Sequence, residues 1–118
     1  MNLNHIHIGT KDLKRSVDFY SIIFGFKKKF EHPPGIFLEN DVGFLMAIDP
    51  VNDIPLFPSW FHFGFCLKSD EKVREIYKKA KEHRVEIARD LMTEKDQFSS
   101  FFIFDPDGYK IEVSWHKE

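Results

Sequence analysis

Leu3-Asn4-His5-Ile6-His7-Ile8 alternates apolar and polar side chains, the two-residue period of a half-buried strand. Asp12 follows it, a residue type that caps helix N-termini. Leu13, Val17, Tyr20 and Phe24 then recur as an apolar stripe, which predicts a helix running to about Phe24. Gly25 suits the left-handed position that ends such a helix. Three strands are expected next, over 26–31, Gly35–Glu39 and 43–48. Pro33, Pro34 and Gly35 break the first pair, and Asn40-Asp41 turns the second.

The same order recurs in the second half. Pro50, Pro55 and Pro58 mark residues 50–58 as a linker or flap, since proline cannot donate to a sheet ladder. A strand is expected over 60–67. Ser69 is a fitting N-cap, with Asp70 and Glu71 in the first turn, where the helix dipole favours negative charge. Val73, Ile76, Tyr77 and Ala80 form the stripe of that helix. Strands over 85–88, 99–104 and 109–115 complete the pattern, the last two joined by the turn Asp105-Pro106-Asp107-Gly108. The expected organisation is one domain, 1–118, with module one at about 1–49 and module two at about 59–118. Each half is too small to bury its own sheet face well, so the halves should pair, within the chain or swapped between two chains.

The 118 residues are 42% hydrophobic and 31% charged, an ordinary globular balance. The formal charge of -2 gives no electrostatic reason to expect nucleic acid or a membrane as partner. No basic segment followed by an apolar run suggests a signal peptide. The lone Cys66 excludes an intrachain disulfide and fits a reducing compartment, so a cytoplasmic location is expected. Fourteen Phe make much of the apolar volume aromatic, as a packed core, a cavity wall or both.

Alternation also sorts the polar residues. His5 and His7 share one face of the first strand; Trp60, His62, Gly64 and Cys66 share one face of the fifth; Lys110, Glu112 and Ser114 share one face of the last. Polar faces on several strands are costly unless water, a ligand or a metal satisfies them. His5 and His62 stand at matching places in the two halves. Aligning Asp41-Val42-Gly43 with Asp107-Gly108-Tyr109 makes Met46 the counterpart of Glu112. Two imidazoles and a carboxylate suit one divalent ion (Fe, Mn, Ni or Zn) with open positions for a substrate. A thioether is a poor ligand for such ions, so Met46 reads as pocket wall.

Leu3-Asn4-His5-Ile6, Asp12-Leu13, Ser16, Phe19-Tyr20 and Phe24-Gly25-Phe26 together resemble the opening of vicinal oxygen chelate proteins (the glyoxalase, bleomycin resistance protein and extradiol dioxygenase superfamily). His62-Phe63-Gly64-Phe65 resembles the start of their second module, and Phe104-Asp105-Pro106-Asp107-Gly108-Tyr109-Lys110-Ile111-Glu112 their close. The resemblance implies an α+β fold of two βαβββ modules in a cup-shaped mixed sheet, metal ligands at His5, His62 and Glu112, and a homodimer. It implies a metal-dependent enzyme, a lyase, transferase or dioxygenase, acting on a small oxygen-chelating substrate. The alternative is a non-catalytic protein that binds an antibiotic or similar small molecule.

The branches differ in detail. Glyoxalase I members carry a second Glu at the place given to Met46, and its absence argues against their isomerisation. Fosfomycin-resistance transferases use the His, His, Glu set, yet carry Thr where this chain has His7 and extend further to grip a phosphonate. Extradiol dioxygenases add His or Tyr acid–base groups, a role open to His7, Tyr109 and His116. His7 and Tyr109 are therefore the catalytic candidates, His7 as general base. Met46, Trp60 and Phe102 are candidates for substrate contact, although core packing is the ordinary role of each. Cys66 reads as inert packing.

Overall fold

The computed structural model describes residues 1–118. Its elements are β1 (His5–Thr10), α1 (Leu13–Phe24), β2 (Lys27–His32), β3 (Gly35–Glu39), β4 (Leu45–Pro50), β5 (Phe63–Cys66), α2 (Asp70–Glu82), β6 (Ile87–Glu94), β7 (Phe98–Phe104) and β8 (Lys110–His116). Strand, helix and three strands thus occur twice. The chain divides into two compact units, Met1–Leu56 and Phe57–Glu118. Each carries one four-stranded sheet, in the order β1-β4-β3-β2 and β5-β8-β7-β6. In both, the first strand runs parallel to the last and the remaining pairs are antiparallel.

The helix boundaries follow from their caps. The Asp12 side chain accepts from the Arg15 amide, and Gly25 closes α1 at φ 71°, where its amide returns to helix carbonyls. Ser69 accepts from the Lys72 amide at the start of α2. The buried face of α1 is turned from the stripe expected on it: Ser16, Phe19, Tyr20 and Ile23 are buried, while Leu13, Val17 and Phe24 are half-buried. Both sets have helical spacing, and the packed ring cluster of Phe19, Tyr20 and Phe26 selects the first.

In the first unit Ile8, Leu38, Met46 and Ile48 form the buried sheet face. In the second, Phe101, Ile103, Ile111 and Val113 do so, with Val73 and Ala80 buried on α2. β5 is shorter than the expected strand: Trp60, Phe61 and His62 precede it, and β6 extends beyond its expected end to Glu94. α2 is also tied to β6 by the Tyr77 hydroxyl, which donates to the Asp90 carboxylate. That bond, followed by one from the Leu91 amide, holds the Asp90 carboxyl below its usual 3.8.

Phe101 is fully buried with the Tyr77 ring 5.2 Å away, so Phe101→Ala should cost about 3–5 kcal/mol in urea unfolding. Phe61, 44% exposed, should cost no more than about 0.5 kcal/mol on the same substitution. A carboxyl depressed on folding contributes stability that is present above its unfolded value and lost as pH falls through the folded one. Stability should therefore fall on acidification below about 3.8, and Tyr77→Phe should flatten that limb of the profile.

Candidate functional site

In the second unit Ile111 and Val113 turn into the core, so alternation sends Glu112 to the opposite face. The register sets Glu112 beside Gly64 on β5 and Phe102 on β7. Glycine is required at 64: a Cβ there would lie 2.9 Å from the Glu112 carbonyl oxygen and 3.1 Å from its Cβ. His62 stands two residues earlier, just outside β5. Its Nδ1 lies 3.0 Å from the Trp60 carbonyl oxygen, which can only accept. In the neutral ring Nδ1 therefore carries the proton, and Nε2 presents a lone pair. That Nε2 is 3.5 Å from Glu112 Oε1, and both side chains are about two-thirds shielded from solvent. Two electron-pair donors facing each other at this distance repel unless a cation, proton or water lies between them. Their spacing suits neighbouring ligands of one ion, each bound at about 2.0–2.2 Å.

The wall beside this pair is aromatic and cationic. The His62 ring meets Phe102 edge-on at 4.9 Å. The Arg89 guanidinium lies 4.8 Å and the Lys110 ammonium 5.9 Å from the Phe102 ring centre. Arg89 donates to Ser100 Oγ at 2.6 Å, and Lys110 donates to the Ser59 carbonyl. Sequence reading missed both cations. Lys110 shares the parity of Glu112 and was legible from it, whereas a shift in the β6–β7 pairing decides where Arg89 falls.

In the first unit His5 opens β1, with Nδ1 2.8 Å from Asn4 Oδ1. The amide oxygen accepts, so His5 takes the same tautomer as His62 and leaves Nε2 as its lone-pair nitrogen. His7 uses the other nitrogen: its Nε2 lies 2.6 Å from Asp49 Oδ2. No three His, Cys, Asp or Glu side chains are gathered into a metal cage. The second unit supplies the pair His62 and Glu112.

Several sequence expectations need correction. Met46 is fully buried, in register with Ile6 and Leu38 on the core face, and so lines no pocket on the His5 side. The alignment behind that assignment is one residue out. Gly43 and Gly108 are the equivalent turn positions, both left-handed at φ 83° and 93°. Matching them makes Ala47 the counterpart of Glu112. The ladders agree: His7 pairs with Ala47 as Gly64 pairs with Glu112. Tyr109 shares the parity of Ile111, is 9% exposed and rests 5.1 Å from the Phe57 ring, which removes it from the Glu112 face. Trp60 is 73% exposed and holds His62 through its carbonyl, not its indole. Phe102 is on the Glu112 face. Cys66 is exposed rather than buried, and His116 is exposed near the Phe98 ring.

The chain belongs to the Glyoxalase/Bleomycin resistance protein/Dioxygenase superfamily, whose sequence profile matches residues 2–113. It is 27% identical over 114 residues to the metallothiol transferase FosB of Lysinibacillus sphaericus, covering 94% of this chain and 79% of the relative. It is 24% identical over 115 residues to the glutathione transferase FosA of Serratia marcescens, covering 95% and 79%. Its fold is similar to the crystal structure of the fosfomycin resistance protein FosX from Listeria monocytogenes, with a TM-score of 0.85, 22% identity and coverage of 99% and 94%. The two-module α+β fold is thus that of the superfamily. No helix is long and apolar enough to cross a membrane.

Ring-nitrogen NMR of the metal-free protein should show His62 protonated at Nδ1. Trp60→Ala should preserve that tautomer, because the main chain supplies the acceptor. A change to the Nε2–H form on that substitution would contradict the geometry.

Proposed function

We propose that this chain is a divalent-metal-dependent enzyme of the superfamily's transferase branch, acting on a small substrate that chelates the ion through oxygen. The observation that carries it is the His62 Nε2 and Glu112 Oε1 pair, 3.5 Å apart with the far nitrogen of His62 already tied down. His5 is the third ligand, presented in the same tautomer. Two imidazoles and one carboxylate accept Fe(II), Mn(II), Ni(II) or Zn(II) and leave coordination positions open. When bound, the ion supplies Lewis acidity for negative charge developing on substrate oxygen.

The chain's own residues do the rest. Arg89 and Lys110 make the wall beside Glu112 electropositive, which favours a substrate with an anionic group. Phe102 shields one side of that wall and stacks or packs against the substrate. His7 accepts the proton of the attacking nucleophile. The names of the FosB and FosA relatives support a thiol as that nucleophile and transfer as the reaction. Ala47 at the counterpart of Glu112 speaks against isomerisation of the glyoxalase I kind, since a methyl group neither binds metal nor moves a proton. The reading includes one domain built from both units, a homodimer and a cytoplasmic location.

Calorimetric titration with Mn(II) and Zn(II) tests it. One ion per chain is expected, with His5→Ala, His62→Ala and Glu112→Gln each weakening binding by more than about a hundredfold, beyond the range for groups that merely support a ligand. Met46→Leu and Tyr109→Phe should leave affinity unchanged. No binding to the native chain would overturn the enzyme reading in favour of small-molecule sequestration.

A further inference from the structure

The first unit holds a polar pair that metal binding does not use, and its surroundings are cleared for it. His7 and Asp49 lie on one face of adjacent parallel strands, His7 paired with Ala47 and Asp49 with Gly9. The register of β3 with β4, in which Ile36 meets Ile48, brings Gly35 next to Asp49 on the other side. A Cβ at Gly35 would lie 1.9 Å from Asp49 Oδ1, so any larger residue there would evict the carboxylate. Asp49 is thus flanked by glycine on both neighbouring strands, and His7 faces an alanine. The carboxylate is free to lean diagonally to His7, where Oδ2 meets Nε2 at 2.6 Å, the short distance of a charge-assisted bond.

The repeat gives this pair its meaning. In the second unit the cross-strand position carries Gly64 on the first strand and a carboxylate, Glu112, on the last. In the first unit the same position is reversed: the functional side chain, His7, is on the first strand and the small residue, Ala47, on the last. The carboxylate has moved two residues along β4, to Asp49. Its oxygen is spent on the Nε2–H of His7 rather than presented on its own.

We propose that Asp49 is the positioning residue of His7, fixing the ring as the Nε2–H tautomer and leaving Nδ1 as its proton-accepting nitrogen. Its catalytic consequence rests on the proposed function, in which His7 takes the proton of the nucleophile. His5 and His62 hold the opposite tautomer because they present Nε2. The chain therefore distinguishes its histidines by the acceptor it gives each one: amide or main-chain oxygen at Nδ1 for the ligands, carboxylate at Nε2 for the base.

The test is ring-nitrogen NMR on the full chain, metal-free, at about pH 9, where a histidine of ordinary pKa is neutral. His7 is 61% exposed, so the tautomer is read from ring-nitrogen shifts through the carbon-bound ring protons rather than from the exchanging N–H. The native protein should show His7 as a single Nε2–H tautomer. Asp49→Ala should give a mixture of both tautomers, while the His5 tautomer and the amide signals of Ile8 and Ile48 stay in place as controls on folding. Asp49→Glu should restore the single form in part. A native His7 that is already a mixture, or one whose ring-nitrogen shifts are unaltered in Asp49→Ala, would overturn the proposal. Zn(II) titration of the same samples separates the two readings. The dyad signature without metal binding would defeat the proposed function alone, and metal binding without the signature would defeat this inference alone.

Discussion

Each unit depends on the alternation of side chains across a sheet that has a helix on one face only. Once Ile8, Met46 and Ile48 are committed to the core of the first unit, His5, His7, Ala47 and Asp49 have no choice of side. Once Ile111 and Val113 are committed in the second, Lys110, Glu112 and Ser114 must occupy the other face. A slip of one residue would bury the carboxylate and expose the core, so apolar burial of the order of 1.5–3 kcal/mol per side chain fixes the chemistry's position. The polar face is a by-product of core packing.

That face is built from close approaches as much as from functional groups. Gly64 lets the Glu112 backbone lie alongside it, and Gly35 lets the Asp49 carboxylate lie across it. In both places the absent side chain makes room for an oxygen. The acceptors on the far ring nitrogens then decide what each histidine can do. Trp60 and Asn4 hold Nδ1 of His62 and His5, and Asp49 holds Nε2 of His7. Imidazole is one donor and one acceptor when neutral, so fixing one nitrogen assigns the other.

Much of this was legible in the sequence. The Asp12 and Ser69 caps, the Gly25 stop, the element order and the faces of His5, His62 and Glu112 follow from local pattern. What was not legible had physical causes. Met46 was misplaced because a loop can be aligned on an aspartate or on a glycine, and only the backbone angle shows that Gly43 matches Gly108. Tyr109 looked catalytic as a residue type, but its parity puts it with Ile111. Trp60 acts through its carbonyl, which every residue has and no sequence can single out. The Asp49–His7 bond spans 42 positions and depends on strand register, so no local pattern announces it. Arg89 was hidden by the irregular pairing of β6 with β7.

In the proposed site two imidazoles and the Glu112 carboxylate hold a single ion. X-ray absorption on the Zn(II)-loaded protein counts histidine nitrogens directly, since imidazole rings give a characteristic outer-shell scattering. Two histidines per zinc in the native protein, one in His62→Ala and an unchanged two in His7→Ala are the predicted result. A count of two that survives His62→Ala, or a site with no histidine at all, would contradict the account.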